Sequence, residues 1–121
     1  MTNRQGDIID YRIDNQDGVR IVRLAGPLDV SQAMRVREVL GEQIDGSGAR
    51  VLVDLSDVPL IDSSGIGVMV TAHRRAAGAG AAFALAGAGA TVGRVFSMTR
   101  TDRLLQLYGS VPEGVQALRA A

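Results

Sequence analysis

The sequence predicts a single α/β domain with right-handed crossovers, and three observations predict it. Short β-rich apolar segments alternate with segments whose apolar residues return every three or four positions. One β-rich run, Val51-Leu52-Val53-Asp54-Leu55, is nearly continuous in apolar residues, the pattern of a strand covered on both faces in a parallel sheet. The 121 residues, 46% of them hydrophobic, suffice for one core and are too few for two, so residues 1–121 are read as one unit with its core over about 8–120.

Ile8-Ile9-Asp10-Tyr11-Arg12-Ile13 and Val19-Arg20-Ile21-Val22-Arg23-Leu24 read as strands joined through the turn-like Asp14-Asn15-Gln16-Asp17-Gly18, a hairpin with one solvated face. Past Gly26-Pro27-Leu28-Asp29, Ser31 suits an N-cap, and Ala33, Val36, Leu40 and Ile44 share one helical face up to the Gly46-Ser47-Gly48 loop. The run from Val51 to Leu55 is the expected central strand. From Ser63 onward Ile66, Met69, Val70, His73 and Ala77 return at helical spacing, and Ala81-Ala82-Phe83-Ala84-Leu85-Ala86 reads as another buried strand. Val92, Val95, Phe96 and Thr99 mark a third helix, and Leu104-Leu105-Gln106-Leu107-Tyr108 a short strand. A last helix runs from Pro112 to Ala120, with proline at its first position. The sum is four to five strands with about four helices packed on them, and the small residues of 76–93 allow close helix–strand packing.

Thirteen basic residues balance thirteen acidic ones, which leaves no global field for nucleic acid. Every basic side chain is arginine, so a phosphate-loop lysine, a Schiff-base lysine and a lysine general base are all excluded. The lack of cysteine removes disulfides, thiol chemistry and thiolate metal sites, and a lone histidine, His73, cannot make an imidazole cluster; no metal and no cofactor are expected. Residues 1–7 carry no apolar run of signal-peptide type, and the longest weakly polar tract is mostly alanine and glycine, so the chain reads as cytoplasmic, with no membrane association.

Gly87-Ala88-Gly89, with Gly93 beyond, follows a strand and opens a helix, but the third glycine of a dinucleotide fingerprint would fall at Val92. Two serines at a strand-to-helix turn suggest a hydrolase elbow, yet Gly-x-Ser-x-Gly is missing. His73 lies ten residues past Ser63, about 15 Å along a helix and beyond reach as its general base. Asp54, Asp57 and Asp62 cluster in sequence without a second motif to complete a site. No enzyme is expected.

What remains is Leu60-Ile61-Asp62-Ser63-Ser64-Gly65-Ile66-Gly67-Val68. Asp and Ser are ordinary N-caps and the glycines permit close approach, so the segment can be read as a helix start alone. It can equally be read as a phosphorylation turn, where free backbone N–H groups and the positive end of the helix dipole receive a phosphate of about −1.5 to −2 charge.

Asp54-Leu55 followed by Asp62-Ser63-Ser64-Gly65-Ile66-Gly67 resembles the signature of STAS domains, specifically the bacterial anti-sigma factor antagonists. Gly26-Pro27-Leu28-Asp29 is similar to the family's loop before the first helix, and Val95-Phe96-Ser97-Met98-Thr99 with Asp102-Arg103-Leu104 to its third helix and the connection onward, so the likeness spans nearly the whole chain. The resemblance implies a mixed, mostly parallel sheet. It implies a non-enzymatic protein whose unphosphorylated form binds an anti-sigma factor with serine kinase activity and frees the sigma factor. Phosphorylation breaks that complex, and a PP2C-type serine phosphatase resets it. Carried over by position, Ser63 is the phosphoacceptor, and Asp29, Asp62, Ser63, Ser64, Gly65 and Ile66 form the partner-binding site; Asp29 also fits a plain helix cap. Pro27 stands where glutamate is frequent, and Arg100-Thr101 where the family usually has Gly-Leu. The alternative within the fold is a non-switching accessory, such as a stressosome-type scaffold component or a subunit of a lipid-transport ATPase.

Overall fold

The computed structural model describes residues 9–120 and opens on a hairpin tighter than the composition of its turn suggests. Strands β1 (Asp10–Gln16) and β2 (Val19–Ala25) pair antiparallel from Asp10↔Ala25 to Gln16↔Val19, leaving only Asp17 and Gly18 to reverse the chain. Both have positive φ, 53° and 80°, as a two-residue type I′ turn demands. Asp14, Asn15 and Gln16 therefore belong to β1 rather than to the turn; Ile8 lies outside the described residues.

Three further strands, β3 (Arg50–Asp57), β4 (Ala82–Ala86) and β5 (Leu107–Tyr108), extend the sheet in the order β1-β2-β3-β4-β5, and every pair after the hairpin is parallel. β3 is central, as its unbroken apolar run requires. Helices α1 (Val30–Gln43), α2 (Ser63–Ala79), α3 (Ala90–Met98) and α4 (Val111–Arg119) complete a mixed, mostly parallel α/β domain. The strand period of two splits the core. Val22, Leu24, Val53 and Leu55 pack with α1, α2 and α3, whereas Ile21, Leu52 and Ala84 pack with Val115 and Leu118 of α4. On the α4 side, Arg23 links three strands: its Nε donates to Asp14 Oδ2 at 2.7 Å and its NH1 to Asp54 Oδ2 at 2.8 Å. The first of these bonds holds the Asp14 carboxyl below its usual value of 3.8.

Four expectations are corrected in detail. Asp29, not Ser31, caps α1, because its carboxylate reaches the Ser31 N–H while Ser31 has already entered the helix. The buried residues of α2 are Gly65, Ile66, Val68, Met69, Ala72 and Ala76, whereas Ala77 faces solvent and His73 is half-buried. Pro112 is the second residue of α4, whose N-cap is Ser110. The strand expected over 104–108 shrinks to two residues, since Thr101–Arg103 forms a single 3₁₀ turn and Leu105 drops into the core before pairing begins.

Candidate functional site

Parallel pairing of β2 and β3 brings the two helices that follow them to the same edge of the sheet. The strands continue past their formal ends as a parallel bridge between Leu28 and Ile61. Gly26 N donates to Asp57 O at 3.0 Å, Leu28 N to Leu60 O at 3.0 Å, and Asp62 N to Leu28 O at 3.3 Å. Pro27 falls between the two donating positions, where its missing N–H removes nothing from this ladder. Val30 and Ser63 then start α1 and α2 side by side.

Asp62 joins the two helix starts. Its Oδ1 accepts from Ser64 N at 2.8 Å and Gly65 N at 3.1 Å, capping α2, while its Oδ2 accepts from Val30 N of α1 at 3.2 Å. Asp29 caps α1 separately, accepting on Oδ1 from Ser31 N at 3.0 Å and Ser31 Oγ at 2.6 Å. Two carboxylates thus sit over two converging positive helix ends, which favour negative charge there. The approach is close enough to require glycine: a Cβ on Gly65 would lie 2.7 Å from Ile61 Cγ1 and press on the Leu28 carbonyl.

Ser63 is the first residue of α2 and is exposed, and its hydroxyl has no hydrogen-bond partner among the described residues. Ser64 is half-buried; Gly65 and Ile66 are buried and shape the turn from beneath. One sequence expectation is corrected here. The amides of Ser64 and Gly65 are not free for a phosphate, because the Asp62 carboxylate already occupies both. The Ser63 N–H and the helix dipole are what remain.

The three aspartates that cluster in sequence separate in space. Asp54 turns to the α4 face, where it is buried, bound by Arg23 and accepting from Ser56 N at 3.0 Å and Ser56 Oγ at 2.6 Å. Asp57 is exposed at the end of β3. Among the described residues, no three His, Cys, Asp or Glu side chains gather as a metal site, and no helix is long and apolar enough to cross a membrane.

Sequence reading missed the apolar surface beside the turn. Val30 and Met34 of α1 are 72% and 70% exposed, and with Ser64, Gly67 and Val68 of α2 they line a groove of about 390 Å³. A signal was present: Val30 and Met34 are one helical turn apart and lie off the stripe of Ala33, Val36, Leu40 and Ile44.

The sheet order, the four helices and a serine turn at the head of the second helix define a small STAS-type module. Residues 10–114 match the STAS domain family model, and the chain belongs to that family. It is 32% identical over 81 residues to a Thermotoga maritima protein that carries a provisional anti-sigma factor antagonist name, a match covering 67% of this chain and 72% of the relative. The fold superimposes on the crystal structure of an anti-sigma factor antagonist from Mycobacterium paratuberculosis with a TM-score of 0.84, at 23% identity, covering 93% of this chain and 96% of the other. It also matches the phosphorylated form of the Bacillus cell fate determinant SpoIIAA, with a TM-score of 0.65 at 18% identity, covering 89% and 98% of the two chains.

The second departure from the family pattern acquires a physical meaning. Arg100 follows α3 with φ 60° and ψ 15°, the left-handed region, which explains why glycine is usual at this position. Thr101, where leucine is usual, joins its hydroxyl to that of Thr99 at 2.8 Å, and Thr99 Oγ1 donates to Val95 O at 2.8 Å, closing the C-terminal end of α3.

Proposed function

We propose that this protein is an anti-sigma factor antagonist without catalytic activity, acting in the cytoplasm by binding an anti-sigma factor that is also a serine kinase. Ser63 is the switch. The observation that carries this reading is the exposed Ser63 hydroxyl at the head of α2, without a hydrogen-bond partner among the described residues, directly after the Asp62 cap that bridges to α1 and near the exposed Val30–Met34 surface. In the unmodified state that surface is apolar enough to dock a partner, with the two carboxylates held by backbone amides. A phosphate on Ser63 adds about −1.5 to −2 charge next to them. The Ser64 and Gly65 amides are engaged by Asp62, so the added charge meets a neighbouring carboxylate and finds only the Ser63 N–H and the helix dipole to offset it. A partner closing over it must desolvate all of it. The complex therefore dissociates, and a PP2C-type serine phosphatase restores the binding form. The names of the relatives, and the existence of a phosphorylated form of SpoIIAA, support the same reading.

The test is calorimetric titration of the purified anti-sigma kinases of the source genome against wild type, Ser63→Ala and Ser63→Glu, with site mapping after incubation with kinase and ATP. Ser63→Ala should bind as wild type, while Ser63→Glu should lose about 3 kcal/mol, a factor above 100. Undiminished binding by Ser63→Glu, or phosphate found on Ser64 in place of Ser63, would overturn the mechanism.

A further inference from the structure

The groove beside the switch does not stop at Ser64. α1 and α2 start together and run in the same direction, so their facing residues step along in register. Val30, Met34, Arg37 and Gly41 come from α1, and Ser64, Gly67, Thr71 and Arg75 from α2. Small residues keep the trough open. A Cβ on Gly67 would meet nothing within 4 Å, and one on Gly41 would lie 2.8 Å from Arg75 NH1, so the Arg75 guanidinium lies across α1 at the place where Gly41 has no side chain. From Ser64 to Arg75 the trough is about 16 Å long, at 1.5 Å rise per residue. That length matches three turns of a helix.

Its charge is uneven along that length. The end near the switch is apolar, with Val30, Met34 and Val68. One to two turns on, Arg37 and Arg75 border it, and neither has an ion-pair partner among the described residues, although other arginines such as Arg12, Arg20 and Arg119 are ion-paired. Glu38 and Glu42 of α1 line the same stretch as Arg37, Gly41 and Arg75, but neither is ion-paired to either arginine among the described residues.

We infer that the α1–α2 trough seats an amphipathic helix of the anti-sigma partner, with an apolar side chain against Val30, Met34 and Val68 and a carboxylate about one turn further on between Arg37 and Arg75. This rests on the antagonist reading and adds what that reading lacks: the chemistry of the contact and a specificity determinant away from the switch. Two guanidinium groups without ion-pair partners among the described residues can engage a carboxylate without first breaking such a pair.

The experiment titrates the same purified anti-sigma kinases against wild type, Arg37→Glu, Arg75→Glu, Arg37→Lys, Met34→Ser and Ser63→Glu. All the altered groove residues are exposed, and thermal melts confirm that each variant folds. A kinase that binds wild type should bind Arg37→Glu and Arg75→Glu at least about tenfold more weakly, Met34→Ser several-fold more weakly, and Arg37→Lys within about threefold. Reversing the partner's matching carboxylate to arginine should restore affinity for Arg37→Glu. If a kinase binds wild type and rejects Ser63→Glu, yet accepts both Arg→Glu variants at wild-type affinity, the trough inference is overturned while the antagonist reading stands. If none binds wild type, the antagonist reading falls and takes this inference with it.

Discussion

Replacing Asp62 separates two roles that one carboxylate performs. Its Oδ1 caps α2 through Ser64 N and Gly65 N, and its Oδ2 ties in α1 through Val30 N. Alanine removes both. Loss of the α2 N-cap costs about 1 kcal/mol, and loss of the bond to the Val30 N–H together with the carboxylate charge over the two helix N-termini adds about another 1 kcal/mol. The expected total for Asp62→Ala is about 2 kcal/mol. Asparagine is as good a cap as aspartate, but when its oxygen caps α2 its amide nitrogen faces the Val30 N–H and cannot accept from it. Asp62→Asn should therefore lose about 1 kcal/mol, and for a chain of this size each kcal/mol lowers the melting temperature by roughly 3–5 °C. Hydrogen exchange supplies the local readout. The Val30 amide should lose protection in both variants, and the Ser64 amide only in the alanine variant. Equal melting temperatures for Asn and wild type, or a Val30 amide still protected in Asp62→Asn, would show that the bridge between the helix starts is not a working contact.

Gly65→Ala should destabilise by about 3 kcal/mol in urea titration, because its new methyl group meets the Leu28 backbone and the Ile61 side chain. Gly67→Ala, two residues along the same helix and with open space around it, should gain up to about 1 kcal/mol from helix propensity; similar losses at both positions would refute the close-approach argument. Arg100→Gly should stabilise by about 0.5–1 kcal/mol, since relief of the left-handed strain exceeds the added chain entropy of glycine. A net loss on guanidinium unfolding would mean that the Arg100 side chain makes a compensating contact.

Much of the fold was legible because periodicity is a local signal. Val51 to Leu55 announced a central parallel strand, the three- and four-residue spacing located the first three helices, and Pro112 marked the start of the fourth. Boundaries were less legible where two local signals competed. Ser31 and Asp29 are both good caps by type, and the choice fell to Asp29 because the ladder between residues 26–28 and 57–61 sets where α1 can start. The leucine-rich stretch at 104–108 has strand composition, but Leu105 gains more from burial in the core than from sheet pairing, and only Leu107 and Tyr108 reach β4.

At the site, the residue types of the turn at 62–65 were enough to mark a capped helix start with an accessible hydroxyl, since capping is chemistry within three residues of chain. The sequence could not show that the Asp62 carboxylate would also reach α1, thirty-two residues away in the chain, and so use up the amides that a phosphate was expected to find. Nor could it show that Val30 and Met34 would stay exposed and meet Ser64 across a groove. The sequence by itself determined the elements, their order and the serine turn, all of which depend on neighbours along the chain. The tertiary structure decided which donors are spent and which surface is left open, because both depend on the parallel pairing of β2 and β3 that brings two distant helix starts together.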